Sequence, residues 1–403
     1  MNAGTVREGT EGAGIVIVGA GLGGIRVAER ARQSGYTGPV TLIGAENYQP
    51  YDRPPLSKEV LRGADRVELK DDDYYRESDL TLRMGVRVAS IDTAAHAVVT
   101  DSGERIEYQS LVLATGLMPR ALPGTEDVAG VHLLRTYDDC VALRDDAKDA
   151  KSAIVIGAGF IGCEVAASLH QLGVPSVTII EPQEAPLAQA LGVEVGNLVR
   201  RVHVEAGVDI RTGVGVSGVD TADGRASAVR LDDGTVLPAD VVVVGIGSVP
   251  VTDYLDGSGI EVASRELGGG IACDESGRTS APDVYAVGDV ANWGARAGRN
   301  GRVEHWNNTV EQAALIGAEL VLPSAEALAL PYFWSDQFDL KIQMLGHPAP
   351  SDEVHIVSDD GRKFVAYYSR DGLLTGVVGA GKAGAVMKMR AKLQASTPIA
   401  DLL

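Results

Sequence analysis

Two stretches of the chain, GIVIVGAGLGGIRVA at 14–28 and SAIVIGAGFIGCEVA at 152–166, share one order of apolar and polar positions. Each opens on a short, unbroken apolar run rich in β-branched residues, which predicts a buried strand. Each then turns on glycines and continues with apolar residues at helical spacing, which predicts a strand–turn–helix unit. A second apolar run follows in both copies, at 40–43 just before Gly44 and at 177–180 just before Glu181. Beyond these, residues 86–91, a hairpin turning at Asp101-Ser102-Gly103 and LVLATG at 111–116 form one series. Residues 208–218, a hairpin turning at Asp232-Asp233-Gly234 and VVVVGIG at 241–247 form the other. The shared order predicts duplication of a whole α/β domain.

A third segment, TSAPDVYAVGD at 279–289, reads as a strand ending at Gly288-Asp289, followed by a helical run after Val303, and completes the first domain. Asp289 serves either as a helix N-cap or as a contact for a cofactor chain. Toward the C-terminus, PYFWSDQFDLKIQMLG and KFVAYYSRDGLLTGVV read as antiparallel strands with a turn at Asp371-Gly372, and residues 382–394 as a closing helix. The predicted fold class is α/β: two Rossmann-like dinucleotide-binding domains plus a C-terminal α+β domain. The predicted boundaries are a flexible leader at 1–13, a discontinuous first nucleotide domain at 14–117 and 245–325, a second at 118–244, and the last domain at 326–403.

Glycine supplies the chemistry these turns need. Gly19, Gly21 and Gly24 in the first copy, and Gly157, Gly159 and Gly162 in the second, fit G-x-G-x-x-G. One glycine makes the tight turn, one lets backbone amides approach a pyrophosphate, and one packs helix on strand. The helix start offers free N–H groups and a positive dipole end to the phosphate. Composition narrows the rest. A net charge of −19 argues against a nucleic-acid binder, because phosphate recognition needs a basic surface. No apolar run reaches the roughly 18 residues needed to span a bilayer, and the N-terminus lacks a signal core. Cys140, Cys163 and Cys273 are too widely spaced to predict a disulfide framework or a metal site, so the cytoplasm is the expected location.

Three stretches carry a family resemblance: Tyr51-Asp52-Arg53-Pro54-Pro55-Leu56-Ser57-Lys58, the helix start Phe160-Ile161-Gly162-Cys163-Glu164, and PYFWSDQ at 331–337. With the duplicated folds, the chain from about Gly14 onward resembles the FAD-dependent, NADH-using ferredoxin reductases of cytochrome P450s and ring-hydroxylating oxygenases. These belong to the wider two-dinucleotide flavoprotein group that includes glutathione reductase. The resemblance implies FAD in the first domain, with Gly19, Gly21 and Gly24 at its pyrophosphate. Arg53 and Lys58 would flank its phosphate and flavin, Lys58 lying near the reactive nitrogen. The backbone of Val88 would meet adenine, Thr115 and Gly116 the pyrophosphate side, Asp289 the ribityl hydroxyls, and the backbone of Trp306 the flavin's pyrimidine edge. Where the family has an acid, this chain has Ala45. Either Glu46 takes its place at the ribose or that hydrogen bond is lost.

The second domain would hold NADH through Gly157, Gly159, Gly162 and Gly247. Glu181, at the end of its second strand, can accept from the ribose 2′-OH and would repel a 2′-phosphate, and no Arg or Lys lies in 182–189 to neutralise one. Glu164 resembles the acid that holds the nicotinamide carboxamide; its plainer reading is an acid favoured by the helix dipole. Plainer readings also exist for Ser57 as the cap of a helix beginning at Lys58, for Trp306 and Trp334 as core aromatics, and for His305 as a structural residue. The disulfide reductases of this fold carry a cysteine pair facing the flavin, and residues 54–61 contain none. Electrons are therefore expected to leave the flavin singly, for an iron–sulfur ferredoxin serving a P450 or other oxygenase. Lys58 and Glu164 would act by position and charge.

Two alternatives stay open: a small-molecule reductase or oxidase on the same scaffold, and a signalling flavoprotein related to apoptosis-inducing factor. The basic groups Arg296, Arg299 and Arg302, with Lys382, Lys388, Arg390 and Lys392, read either as a docking face for an acidic ferredoxin or as ordinary solvated surface. The oligomeric state is left open.

Overall fold

The computed structural model describes residues 13–322 and 328–403. All but the last residue of the expected leader, and the boundary expected at 325–326, lie outside the described residues. The chain divides into two compact units. The first comprises Met1–Asp52, Val67–Met118 and Val249–Ala329; the second comprises Arg53–Arg66, Pro119–Ser248 and Leu330–Leu403.

The first unit is built on a parallel sheet. Gly14–Val18 pairs on one side with Val40–Gly44, which pairs in turn with Leu80–Met84, and on the other with Arg105–Leu113. Val284–Ala286 adds a further parallel strand to Arg105–Leu113. The hairpin expected to turn at Asp101-Ser102-Gly103 is present as Ala97–Thr100 and Arg105–Leu113, antiparallel, and Val88–Asp92 adds a further antiparallel strand through a turn at 93–96. The apolar run of the central strand is buried along its whole length, as a strand covered on both faces requires. The helix Leu22–Gln33 buries Ile25, Val27, Ala28 and Ala31, a stripe at helical spacing. It is crossed closely by the helix Trp306–Glu319, because a Cβ at Gly317 would lie 2.8 Å from the carbonyl oxygen of Val27.

The second unit repeats the plan. Ser152–Ile156 pairs in parallel with Ser176–Glu181 and with Val241–Val244, and Asp209–Thr212 and Val131–His132 flank them. The stretch 208–218, expected as one piece, is divided. Asp209–Thr212 joins the parallel sheet, the chain turns at Gly213 with φ +72°, and Val216–Ala222 enters a separate antiparallel sheet with Arg225–Leu231 and Val236–Pro238. The first turn of that sheet is at Asp223-Gly224, both residues with positive φ.

The C-terminal residues form a five-stranded antiparallel sheet in the order Tyr332–Gln337, Leu340–Gly346, Leu373–Ala380, Phe364–Arg370, Glu353–Asp359. It packs on the helix Ala188–Ala206, where Leu191, Val195, Val199 and Val202 meet Ile342, Phe364, Tyr368 and Val378 in one core. Burying such a side chain contributes about 1.5–3 kcal/mol. The helix is broken at Gly192, whose φ of 78° is open to glycine, and the Tyr368 hydroxyl donates to the carbonyl of Leu191 at 2.7 Å beside the break. The closing helix expected at 382–394 is two, Ala383–Lys388 and Arg390–Gln394, joined at Met389. Val386, Met389 and Leu393 nonetheless stay buried in one cluster, so the break preserves the apolar face.

Candidate functional site

The glycine turns of the two units match role by role. Gly19 has φ +112°, and a Cβ there would lie 2.2 Å from the carbonyl oxygen of Ala114; Gly157 has φ +101° and the same conflict, 2.3 Å, with Gly245. These are the tight turns that only glycine can make. A Cβ at Gly24 would lie 2.2 Å from the oxygen of Gly19, and one at Gly162 would lie 2.1 Å from that of Gly157, so both admit the close approach of helix to strand. The middle glycines differ in kind. At Gly21 and Gly159 a Cβ would meet nothing within 4 Å and would instead fill the space before the helix start. Both residues sit at the N-cap without a side-chain cap, and neither helix has an acid in its first turn. By contrast, Asp71 and Thr136 cap their helices in the ordinary way. Two helix starts with open faces and uncapped N–H groups fit two pyrophosphates.

The acids at the strand ends do not match. Glu181 closes its strand with one carboxylate oxygen accepting the Ala158 N–H at 2.7 Å and the other accepting the Gln183 N–H at 2.9 Å. It thus clamps the glycine loop and still has lone pairs to offer. The topologically equivalent residue is Gly44, since Gly19 and Gly157 donate to Ile43 and Ile180, the residues just before these two. A Cβ at Gly44 would lie 2.7 Å from Met84 Cε and 2.9 Å from Ala20 Cβ, so a carboxylate is sterically shut out. Glu46, two residues on, accepts from the Tyr51 hydroxyl at 2.5 Å.

Other expected residues of the first unit take defined places. Val88 is buried at the start of its strand. The Thr115 hydroxyl donates to the Val251 carbonyl at 2.9 Å, and Gly116, with φ +69°, accepts from the Val251 N–H. Asp289 lies in the single turn Gly288–Val290 after the strand Val284–Ala286, half-buried. Trp306 is the first residue of its helix and donates its indole N–H to Asp52 at 2.9 Å.

In the second unit a buried charge pair dominates. Pro54–Ser57 forms one tight turn of helix, and Lys58 leaves it with φ −126° and ψ −111°. No helix begins at Lys58, and Ser57 caps none; its hydroxyl is used elsewhere. The Lys58 ammonium, 8% exposed, donates to Glu164 at 2.7 Å and to the Pro54 carbonyl at 2.8 Å. Glu164, 3% exposed on the helix Phe160–Gln171, also accepts from the hydroxyl of Ser57 at 2.5 Å and, on its other oxygen, from that of Ser335 at 2.6 Å. Burial makes this pair dependent on its surroundings, because neither charge has water to fall back on. Arg53 donates to the carbonyl of Arg135 at 2.6 Å. Gly247, with φ +96°, accepts from the Arg120 N–H. Ser335 lies in the PYFWSDQ stretch that carries the resemblance, but no site role followed for it from the sequence. Its signal is a polar residue on the buried face of a strand, where Ser335 and Gln337 alternate with partly exposed neighbours.

A family model described as pyridine nucleotide-disulphide oxidoreductase matches residues 13–313. The chain belongs to this family. A second model, described as reductase C-terminal, matches residues 332–401. Rhodocoxin reductase of Rhodococcus erythropolis is 38% identical over 349 residues, 85% of this chain and 80% of its own length. A ferredoxin–NAD(P)(+) reductase of a Sphingomonas species is 35% identical over 366 residues, 89% of this chain and 87% of its own. A chain in the crystal structure of the covalent putidaredoxin reductase–putidaredoxin complex matches with a TM-score of 0.89 at 31% identity, over 96% of this chain and 94% of that one.

The disulphide in the family's name has no counterpart here. Cys140, Cys163 and Cys273 are free and buried. Burial pushes the Cys140 thiol up to about 11, Cys273 to about 12 and Cys163 upward as well, which leaves all three inert as thiolates. Among the described residues no group of three or more His, Cys, Asp or Glu is arranged to hold a metal, and no helix is long and apolar enough to cross a membrane. The arginine cluster at 296–302 is partly neutralised: Arg299 pairs with Glu275, Arg302 with Glu304, and Arg296 donates to the Thr279 carbonyl.

Proposed function

We propose that the chain is a FAD-dependent oxidoreductase that takes a hydride from NADH and passes single electrons to an iron–sulfur ferredoxin serving a cytochrome P450 or similar oxygenase. The observation that carries this reading is the matched pair of glycine cradles, each an uncapped helix start with open space before its middle glycine. Two dinucleotides on one chain suit a hydride donor and a hydride acceptor. FAD, when bound, takes up two electrons together and releases them one at a time.

In this reading Gly19, Gly21 and Gly24 admit the pyrophosphate of FAD, with Val88, Thr115, Gly116, Asp289 and Trp306 lining the rest of its length. Gly157, Gly159, Gly162 and Gly247 admit NADH, and Glu181 holds its ribose and turns away a 2′-phosphate. Lys58 and Arg53 supply fixed positive charge for the reduced cofactor, and Glu164 an acceptor for the carboxamide. With no reactive thiol to relay through, electrons leave for an outside acceptor. The names of the relatives, rhodocoxin reductase and ferredoxin–NAD(P)(+) reductase, support that acceptor's being a ferredoxin. Unpaired cysteines throughout suit the reducing cytoplasm.

The purified protein is expected to be yellow, to carry one flavin per chain, and to bleach on anaerobic addition of NADH. A colourless protein that takes up no flavin would overturn the reading.

A further inference from the structure

The acceptor oxygens of Glu164 are reached by more than the lysine. Ser335 donates its only hydroxyl hydrogen to Glu164 at 2.6 Å, because a carboxylate can only accept. Ser335 must then accept from its other neighbour, which fixes the amide of Gln337 with its nitrogen toward Ser335 at 3.2 Å. The amide oxygen therefore faces His203 at 2.9 Å, and His203 must carry its hydrogen on Nε2. Its Nδ1 is buried with no hydrogen-bond partner, as suits the unprotonated nitrogen of a neutral imidazole. The direction of every bond follows from one charge: His203 donates to Gln337, Gln337 to Ser335, Ser335 to Glu164. Ser335, Gln337 and His203 are all 1% exposed or less.

We propose that Ser335, Gln337 and His203 are positioning residues: a one-way hydrogen-bond chain by which the C-terminal sheet and the helix Ala188–Ala206 fix the carboxylate of Glu164, and through it Lys58. A bare ion pair leaves the carboxylate free to rotate about its last bond. Donors on both oxygens remove that freedom, since Ser57 and Lys58 hold Oε2 while Ser335 holds Oε1. The C-terminal sheet thus contributes to the reaction centre without contributing a catalytic residue. The inference builds on the assignment of Glu164 and Lys58 made above.

The test compares S335A, S335T and E164Q in the flavin-loaded protein, with two readouts: the rate of anaerobic flavin reduction by NADH in stopped flow, and the NAD⁺ dissociation constant by calorimetry. S335A is expected to slow reduction and to weaken NAD⁺, each about tenfold, as residues coupled in one network do. S335T, which keeps the hydroxyl, is expected to stay within about twofold of the wild type. In the E164Q background S335A should add almost nothing, whereas a merely structural role would add its full effect there. S335C, of similar volume with a weaker donor, should fall between the two and replaces S335A if that variant folds poorly. Wild-type rates and affinity in S335A, with E164Q impaired, would overturn the chain and leave the role of Glu164 standing. Wild-type behaviour in both would overturn the assignment of Glu164, and the chain with it.

Discussion

At the scale of residues, the two nucleotide folds are alike in their glycines, which sterics demands, and unlike in their acids. Glycines 19, 24, 157 and 162 are demanded by backbone contacts under 2.5 Å, so their spacing was readable directly from the sequence. The acid is a choice. Glu181 occupies the end of its strand, while the same place in the first fold is shut by Met84 and Ala20. This gives Glu181 a testable role. E181Q is expected to narrow the preference for NADH over NADPH about tenfold, since a 2′-phosphate no longer meets a like charge. Because the amide can accept from only one of the Ala158 and Gln183 N–H groups, NADH binding should weaken too, and the ratio of kcat/KM values is the quantity to read. An unchanged ratio would place specificity elsewhere.

At the scale of elements, what the sequence disclosed was whatever apolar period and glycine turns record. The parallel strands and both first helices follow from them. The hairpin at Asp223-Gly224 was missed because Val216–Ala222 buries none of its residues and carries a weak apolar pattern, although the Asp-Gly turn signal was present. The hydrogen-bond chain to Glu164 was hidden for another reason. It forms only when a sheet from the C-terminal third packs on a helix of the nucleotide fold, and nothing local to Ser335 or His203 announces it. That packing leaves a pH signature. Burial lowers His203 from 6.5 to about 4, so between those values the unfolded chain binds a proton that the folded one refuses. The contribution is complete above about pH 6.5 and is lost as the pH falls toward 4. Between pH 7 and pH 5 the wild type should lose about 2 kcal/mol more stability than H203Q, which keeps a donor to Gln337 but cannot titrate. Urea unfolding at the two pH values measures this, and identical losses would contradict it.

At the scale of the molecule, a strongly acidic chain with two dinucleotide cradles, a buried lysine–glutamate pair and no reactive thiol is organised to take electrons in pairs and give them out singly. The family match explains the scaffold, and the inert cysteines set this chain apart from the disulphide chemistry in the family's name. The most direct measurement is the electron balance. With a one-electron [2Fe–2S] ferredoxin in excess and oxygen removed, each NADH consumed should reduce two ferredoxin molecules, with the flavin re-oxidised at the end. Flavin that bleaches with NADH and stays bleached in the presence of ferredoxins from the source organism would contradict the account.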